Sequence, residues 1–297
     1  MKGLVIINGY PNGEKFLRQG ERIAKELCSI GVPTDVVKNG DICALLNSDG
    51  SVKTNLAEEY TFAVYLDKDK YLGKMLEGIG MRLFNCSQAV EICDDKMLTY
   101  LALREKKIPI VKTIAAPLCY TPNAIPNENF LKNVPKELGF PLVAKKSYGS
   151  FGAGVQLVHG MPELKNIEKE WLYTPHFYQT YIEESAGRDV RVIVIGGKVV
   201  AGMERVAHDG EFRSNVELGG QGRKIVLDKE YISVAEKVAQ GLQLDYCGVD
   251  LLEGKSGPIV CEVNSNAFFE GLESVTGINV AKIYAEYIIS CFEDNTK

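Results

Sequence analysis

The sequence predicts a protein that combines two fold classes, with an α/β N-terminal lobe followed by two α+β lobes. Up to about residue 87, predicted strands alternate with predicted helices, which is the pattern of a parallel sheet covered by helices. After residue 109, strands rich in valine and isoleucine are joined by glycine-rich turns, which favours antiparallel pairing. A chain of 297 residues is long enough to bury the cores of two or three lobes. The expected domains are 1–88, 89–180 and 181–297.

The first lobe opens on the strand GLVIIN, and a helix is expected after the turn GYPNG. Apolar or small residues recur along this helix at spacings of three and four, which is the period of one helix face. These residues are Phe16, Gly20, Ile23, Leu27 and Ile30. The next predicted elements are strand, strand, helix and strand, in the order TDVVK, TFAVYLD, DKDKYLGKMLEGIG and MRLFN.

The rest of the chain is predicted to contain mainly antiparallel strands. Residues 88–106 are expected to be helical, and Pro109 begins a new segment. The predicted strands are PLVAKKS, GAGVQLV, HFYQTYI, DVRVIVIGGKVVAGMERV, CGVDLLE and GPIVCEV. Two helices are expected in this part, near residues 229–241 and 278–292.

Composition argues against several classes of function. A net charge of -5 does not suggest the basic surface that a nucleic-acid binder or an anionic-membrane binder carries. No apolar run approaches the roughly 20 residues that a membrane helix needs. Eight cysteines are scattered without a CxxC pair and three histidines lie far apart, so the sequence spells out no zinc site. These features predict a cytoplasmic protein with reduced cysteines.

Two carboxylates and an amide are clustered on a predicted hairpin whose turn is EGKSG. If this hairpin is centred on Ser256, Asp250 lies opposite Glu262, and Asn264 lies one pair further along the same face. Like charges that face each other across two strands repel each other, which is unfavourable. A divalent cation bound between the two carboxylates makes the arrangement favourable. The pattern therefore favours a Mg²⁺ clamp over the alternative, which is a solvated face with splayed charges.

A glycine-rich loop between two predicted strands contains Gly149, Gly152 and Gly154. It is neither a Walker A loop nor the GxGxxG of dinucleotide-binding folds. A hairpin turn that needs positive φ explains the glycines equally well. Lys145 and Lys146 close the preceding strand, so one of them can point into a phosphate site. The backbone N–H groups of such a loop can bind phosphate oxygens.

Several cations and one carboxylate follow on the next predicted strands. Asp189 and Arg191 lie two residues apart and share a strand face, Arg205 follows, and Arg213 and Asn215 are again two apart. A surface ion pair would explain each arginine on its own. Together with a metal clamp and a glycine loop, these residues favour phosphoryl transfer from a nucleotide. The three arginines are the candidates for stabilising the transferred charge, because a planar guanidinium binds oxyanions bidentately.

The order of these motifs resembles that of the ATP-grasp superfamily. The motifs that carry the resemblance are DDKMLTYLALREKKIPIVKT, PLVAKKSYGSFGAGV, YQTYIEESAGRDVRVIVIGGKVVAGMERVA, FRSN, GVDLL and EVNSN…EGLE. Within that superfamily the chain is similar, over roughly residues 90–285, to the RimK-type amino-acid ligases, which include the glutamate ligase that acts on a ribosomal protein. This resemblance implies an ATP-grasp fold, in which an N-terminal α/β pre-ATP-grasp domain precedes two α+β lobes that hold ATP between them.

The resemblance also implies the ligands of ATP and of two Mg²⁺ or Mn²⁺ ions. The implied metal ligands are Asp250, Glu262 and Asn264. The implied ATP-binding residues are Lys96, Lys145, Gly152, Thr180, Tyr181, Asp189, Arg213, Ser214 and Asn215. Of these, Thr180 and Tyr181 would lie along the adenine, and Asp189 would contact the ribose. Since many relatives have an acidic residue in place of Thr180, adenine recognition is expected to depend more on backbone groups here.

The reaction that the resemblance implies is amide formation from a carboxylate and an amine. The carboxylate attacks the γ-phosphate of ATP to give an acylphosphate, and the amine then displaces phosphate. Glutamate is the expected amino acid, and a small molecule or a peptide is the expected carboxylate acceptor. The family's Ser-Pro-Gly is replaced by Asn266-Ala267-Phe268, so the known acceptors are not carried over. The added apolar surface favours an acceptor with an apolar or ring-containing part.

Two alternatives stay open on the sequence alone. One is a kinase of the same fold that stops after phosphorylating a small molecule, and the other is a non-catalytic nucleotide sensor. The metal clamp argues against the sensor, because adenine binding does not require it. A homo-oligomer is compatible with the sequence, whereas neither a nucleic acid nor a membrane is an expected partner.

Overall fold

The computed structural model describes residues 1–10, 14–56, 58–121, 123–208, 211–214 and 219–293. The strands are β1 (Lys2–Ile7), β2 (Thr34–Lys38), β3 (Ala44–Leu46), β4 (Val52–Thr54), β5 (Tyr60–Leu66), β6 (Arg82–Phe84), β7 (Thr113–Ala115), β8 (Leu142–Lys146), β9 (Val155–Val158), β10 (His176–Thr180), β11 (Arg188–Ile195), β12 (Lys198–Val206), β13 (Gln221–Lys224), β14 (Tyr246–Gly254) and β15 (Gly257–Asn264). The helices are α1 (Lys15–Ser29), α2 (Lys70–Gly78), α3 (Ser87–Asp94), α4 (Lys96–Glu105), α5 (Glu128–Leu138), α6 (Met161–Trp171), α7 (Lys229–Gly241), α8 (Glu270–Thr276) and α9 (Val280–Glu293). No helix in the described ranges combines the length and the apolar character needed to cross a membrane.

The N-terminal part of the chain forms the predicted parallel sheet, in the order β2-β1-β5-β6. Strand β1 lies inside this sheet and buries every side chain from Leu4 to Ile7, as expected for a strand that is covered on both faces. Helix α1 buries Ile23 and Leu27, two of the residues that set its predicted period. A short hairpin of β3 and β4 is an addition to the predicted alternation.

The last helix, α9, packs on the N-terminal sheet. The ring of Phe292 lies 5.5 Å from that of Phe62 on β5, and the hydroxyl of Tyr284 donates to the carbonyl of Phe84 at 3.2 Å. Leu103 of α4, in contrast, is buried in the core of the C-terminal sheet. The cores therefore cross the expected domain limits, and the division of the chain at residues 88 and 180 stays a prediction.

The central sheet is antiparallel, in the order β7-β10-β8-β9. Helices α5 and α6 cover it, and Trp171 and Tyr178 are buried in its core. Neither helix is among those predicted from the sequence. Pro135 lies inside α5, where a proline normally signals the end of a helix, whereas Pro162 lies in the first turn of α6, where proline is tolerated. Pro135 therefore hides the helical period of α5.

The C-terminal sheet is antiparallel, in the order β13-β12-β11-β14-β15. One face is apolar and buries Val192, Val249 and Val263 against Ala235 and Val238 of α7. Because successive side chains of a strand point to opposite faces, the residues between these valines lie on the other face. That second face carries most of the charged side chains that the sequence singles out.

Candidate functional site

The hairpin of β14 and β15 places Asp250 opposite Glu262, which confirms the predicted register. Toward the turn the register shifts by one residue, because Cys261 is an extra residue that forms a bulge in β15. The bulge lets Cys261 and Glu262 line the same cavity as Asp250. No pattern in the sequence signals a bulge, so Cys261 is missing from the predicted site.

Asp250 is buried and is held by two arginines. Arg191 donates from Nε and Nη2 to the two carboxylate oxygens, at 2.7 Å each. Arg205, whose side chain is 2% exposed, has Nη2 2.9 Å from the same carboxylate. Burial raises the pKa of Asp250, but the two guanidinium groups outweigh it and hold that pKa below its ordinary value. Asp250 is therefore a fixed anion at the bottom of the cavity.

Arg205 also binds Asp189, which lies opposite it on β11. Nε donates to Oδ1 at 2.7 Å, and Nη2 donates to Oδ2. Burial lowers the pKa of Arg205, whereas Asp189 and Asp250 raise it well above its ordinary value. The guanidinium is thus shared by two carboxylates and is closed off from solvent. The predicted contact of Arg205 with a transferred phosphoryl group stays a prediction.

The three implied metal ligands offer hard oxygen atoms on one hairpin. The described residues contain no group of three or more His, Cys, Asp and Glu side chains that could hold a metal ion, and the amide of Asn264 is the third implied oxygen ligand on this hairpin. Its buried Nδ2 has no hydrogen-bond partner within the described chain, and a flip of the amide would place Oδ1 there instead. Glu262 is partly exposed, with Oε1 3.3 Å from Nζ of Lys96. Two carboxylates and an amide with an unused polar atom fit Mg²⁺.

The glycine-rich loop joins β8 to β9 and borders the site. Gly149, Gly152 and Gly154 have φ angles of 125°, 73° and 74°, a region that favours glycine. Nζ of Lys96 donates to the carbonyl of Gly149 at 2.7 Å, and Nη1 of Arg213 donates to that of Gly152 at 3.1 Å. Two predicted site cations therefore hold this loop by its backbone.

Arg213 is itself oriented by a carboxylate. Nε and Nη2 of Arg213 lie 3.0 Å and 2.8 Å from the oxygens of Glu211, and these hydrogen bonds lower the pKa of Glu211 to about 2. Ser214 is buried and lines the same cavity. Asn215, the last residue of the predicted phosphate-side motif, lies outside the described residues.

The first cavity lies between the central and C-terminal sheets and measures about 850 Å³, including the part open to solvent. Thr180 and Tyr181 form one wall at the end of β10. Apolar side chains complete that end of the cavity, namely Val111, Val143, Val155, Ile182 and Leu252. The charged residues of the hairpin and the glycine loop line the rest of it. An apolar wall beside a charged one suits a purine attached to phosphates.

Of the two lysines that close β8, Lys145 faces the site. It is buried, with Nζ 3.5 Å from Sγ of Cys261. Burial lowers the pKa of Lys145, but the groups around it, led by Cys261, raise that pKa above its ordinary value. Lys146 points away, with Nζ 5.1 Å from the ring centroid of Trp171. Lys145 is therefore a buried cation at the edge of the nucleotide-sized cavity.

A second cavity of about 1000 Å³, including its open part, adjoins the first. The two cavities share Lys96, Gly149 and Glu262. The N-terminal lobe contributes part of the second lining, namely Asn8, Phe16, Leu66, Asp67 and Lys68. No pattern in the sequence marks these residues as a site, because only the tertiary structure brings them to the hairpin. We refer to this space as the second cavity.

Aromatic rings from three parts of the chain meet at the second cavity. The ring of Phe268 lies 5.1 Å from that of Phe16 on α1 and 6.1 Å from that of Phe151 in the glycine loop. Nδ2 of Asn266 donates to the carbonyl of Leu66 at 2.6 Å, which ties the same segment to the N-terminal sheet. The segment that departs from the family pattern therefore joins the N-terminal lobe to the site.

The predicted site residues divide between the two cavities. The first is lined by Lys96, Lys145, Gly152, Thr180, Tyr181, Asp189, Arg205, Arg213, Ser214, Asp250 and Glu262. The second is lined by Lys96, Arg191, Glu262 and Asn264. The structure thus brings the described members of the predicted set to one continuous site, and their individual roles stay predictions.

Comparison with known proteins gives one consistent family. A family model described as a RimK-like ATP-grasp domain matches residues 93–288. Beta-citrylglutamate synthase B from Danio rerio is 34% identical over 233 residues, which cover 76% of this chain and 55% of that protein, so the chain spans about half the length of this relative. A "Probable alpha-L-glutamate ligase" from Vibrio atlanticus is 37% identical over 217 residues, 72% of this chain and 69% of that protein. The crystal structure of a RimK domain ATP-grasp protein from Sphaerobacter thermophilus matches 97% of this chain and 99% of that one, with a TM-score of 0.74 at 18% identity, which confirms the predicted ATP-grasp fold.

Proposed function

Since this chain belongs to the RimK-like ATP-grasp family, we propose that it is an ATP-dependent carboxylate–amine ligase. The reaction transfers the γ-phosphoryl group of ATP to a substrate carboxylate, and ADP leaves. An amine then attacks the carbonyl carbon of the acylphosphate, the C–N bond forms, and inorganic phosphate leaves. The protein supplies no covalent nucleophile in this scheme, so its contribution is orientation and charge compensation.

The observation that carries the proposal is the shared wall of the two cavities. A ligase must bring the γ-phosphate of a nucleotide next to a carboxylate that is held in a separate pocket. Here the nucleotide-sized first cavity and the second cavity meet at Lys96, Gly149 and Glu262. A protein that only sensed a nucleotide would not need the second cavity to open at the phosphate end of the first.

The cations are distributed along the expected path of the phosphoryl group. Lys145 lies in the first cavity, Lys96 lines both, and Arg191 lines the second. Arg213 reaches the glycine loop and would compensate phosphate charge from that side. Arg205 would act indirectly, by holding the side chains of Asp189 and Asp250 in position. Cations that are already held in place stabilise a charged transition state, because the protein does not have to rearrange during the reaction.

ATP-grasp proteins use ATP and Mg²⁺. In this chain Asp250, Glu262 and Asn264 would hold two Mg²⁺ or Mn²⁺ ions. Bound there, divalent ions would supply charge neutralisation between the phosphates and the incoming carboxylate. The unpaired amide of Asn264 and the facing carboxylates support this assignment.

Glutamate is the proposed amino acid, because the relatives described above are named for glutamate ligation or citrylglutamate synthesis. The proposed acceptor is a small-molecule or peptide carboxylate with an apolar or ring-containing part. Phe16, Phe151 and Phe268 at the second cavity support this second choice. The proposed setting is the cytoplasm, where ATP is available.

The test is a panel assay of ADP and phosphate release. Purified protein with Mg²⁺ and ATP is given glutamate, glutamine, lysine or alanine, each with dipeptide acceptors that end in an aromatic or an aliphatic residue. A ligase releases ADP and free phosphate together, and only when an amine and an acceptor are both present. We expect glutamate with an aromatic acceptor to give the highest rate.

Two results would contradict this proposal. A stable phosphorylated acceptor that forms without any amine would indicate a kinase. Nucleotide binding without ADP release across the whole panel would indicate a sensor. A neutral or basic amino acid as the best partner would remove the glutamate assignment and leave the ligase chemistry in place.

A further inference from the structure

Asp67 follows β5 and lines the second cavity, and one of its carboxylate oxygens is buried and unpaired among the described residues. The residue is 2% exposed. Its Oδ1 accepts hydrogen bonds from Nδ2 of Asn8 at 2.8 Å and from the backbone nitrogen of Lys68 at 2.7 Å. Its Oδ2 has no hydrogen-bond partner among the described residues. Buried polar atoms are nearly always paired, so this oxygen requires an explanation.

The unpaired oxygen is not an isolated case. Nδ2 of Asn264 is the other buried side-chain polar atom that lacks a partner in the described part of the chain, and Asn264 lines the same cavity. Since the amide of Asn264 is assigned to a metal ion, Asp67 is the unpaired buried group among the described residues of this lining that is left for a polar substrate. The carboxylate form of Asp67 only accepts hydrogen bonds, so an occupant that binds this form supplies a donor.

In the described part of the chain, no cationic side chain is among the main contributors to the pKa of Asp67. Burial raises the pKa of Asp67 above its ordinary value, and the hydrogen bonds from Asn8 and from the backbone of Lys68 offset only part of that rise. The charge of Asp69 raises this pKa further and a hydrogen-bonding contribution from Asn39 lowers it, but no group among the described residues pairs with Oδ2 in hydrogen-bond geometry. The ammonium of Lys68 is directed elsewhere, with Nζ 2.8 Å from Asp94 and 3.2 Å from Oγ of Ser150. A cationic donor on a substrate would satisfy both the charge and the free oxygen.

We infer that Asp67 binds a primary ammonium group of a substrate in the second cavity, with Oδ2 as the acceptor. This inference rests on the proposed ligase function and names one specificity determinant of it. The same cavity is also lined by Lys96 and Arg191, so it offers an anion and cations to one occupant. That arrangement fits an amino compound that also carries carboxylates. The ammonium belongs to the α-amino group of the ligated amino acid or to the acceptor, and the chemistry at Asp67 is the same.

The test uses two matched pairs of probes on the full chain. In the first arm, the binding of L-glutamate and of glutarate, which lacks the amino group, is measured by thermal shift with Mg²⁺ and a non-hydrolysable ATP analogue. In the second arm, ADP release is measured with a dipeptide acceptor that has a free or an acetylated N-terminus. Asp67→Asn removes the charge at constant size, and Asp67→Glu keeps the charge at a displaced position.

Asp69→Asn is the matched control. Asp69 lies two residues further along and caps α2 by accepting from the backbone nitrogens of Tyr71 and Leu72. It lines neither of the two cavities, and asparagine is an equally good cap. This variant makes the same change in charge in the same segment, so it separates a local contact from a general electrostatic effect.

We expect wild type to prefer the ammonium-bearing probe in one of the two arms. In that arm Asp67→Asn should lose about tenfold or more of the preference, as expected for a hydrogen bond to a charged group. If the arm that responds is ADP release, KM should change more than kcat. Asp67→Glu should recover part of the preference, and Asp69→Asn should keep all of it. The arm that responds identifies which substrate carries the ammonium.

Two outcomes overturn the inference. The first is a wild-type protein that binds or uses both members of each pair equally, a result that needs no variant to fold. The second is an Asp67→Asn protein that keeps the wild-type preference in both arms. If no condition releases ADP, the proposed ligase function fails, while the thermal-shift arm still decides whether Asp67 selects an ammonium group.

Discussion

At the residue scale, Glu262 is one of the side chains that line both cavities, and it pairs with Lys96 across them. Glu262→Gln is expected to lower kcat for ADP release by roughly 100-fold or more, because it removes a proposed metal-binding charge beside the transferred phosphoryl group. The fold should be unaffected, since Glu262 is partly exposed. Assays at saturating Mg²⁺ with circular dichroism melts test this. Glu253→Gln on the same hairpin is the control, and near-wild-type turnover of the Glu262 variant would contradict the metal assignment.

Arg205 supports a prediction about stability rather than turnover. Arg205→Met leaves Asp189 without its partner and Asp250 with Arg191 alone, which is expected to cost about 3–5 kcal/mol of unfolding free energy near neutral pH. Because the folded pKa of Asp250 lies below its ordinary value, the stabilisation from its pairing is full above about pH 4 and is lost as the pH falls through the lowered pKa. Wild type should therefore lose more stability on acidification than the variant. Urea unfolding of both proteins at several pH values measures this. A difference in unfolding free energy between wild type and Arg205→Met that stays constant down to acid pH would contradict the prediction.

At the element scale, the glycine loop is held at two carbonyl groups by Lys96 and Arg213. Both contacts are made by long side chains to backbone groups that a nucleotide phosphate would approach. We expect the amides of residues 147–154 to exchange rapidly without nucleotide and to become protected by a non-hydrolysable ATP analogue, since bound phosphates add partners on both sides of the loop. Hydrogen exchange measures this, with the buried strand β1 as an invariant control. Equal protection in both states would identify the loop as a plain structural hairpin.

The same elements define how far the sequence could be interpreted. The pairing of Asp250 with Glu262 was predictable, because a hairpin turn and period-two spacing determine it locally. The bulge at Cys261 was not, since nothing in the strand pattern distinguishes an extra residue. Helix α5 was hidden by Pro135 within it. Asp67 was out of reach for a different reason, because its role depends on which distant residues surround it, and a single sequence does not contain that information.

At the scale of the whole molecule, the second cavity belongs to no single sheet. Its lining combines the ends of β1 and β5, the glycine loop and the segment after β15. The rings of Phe16, Phe151 and Phe268 come from three separate parts of the chain and pack together at this cavity. The choice of acceptor is therefore expected to depend on how these parts are held together, rather than on the nucleotide-binding residues alone.

Phe268 provides the test of this dependence. Phe268→Ala removes the ring that contacts both Phe16 and Phe151, so an acceptor loses apolar surface at one wall of the cavity. The preference for aromatic over aliphatic acceptors, measured as the ratio of kcat/KM values, should fall about tenfold, as expected when one pocket group is lost. The KM for ATP should change little, because Phe268 does not line the first cavity. Tyr120→Ala, at an exposed aromatic residue outside both cavities, is the control. An unchanged acceptor ratio in Phe268→Ala would place acceptor recognition elsewhere, whereas a large change in the KM for ATP would indicate that the aromatic cluster positions the glycine loop instead.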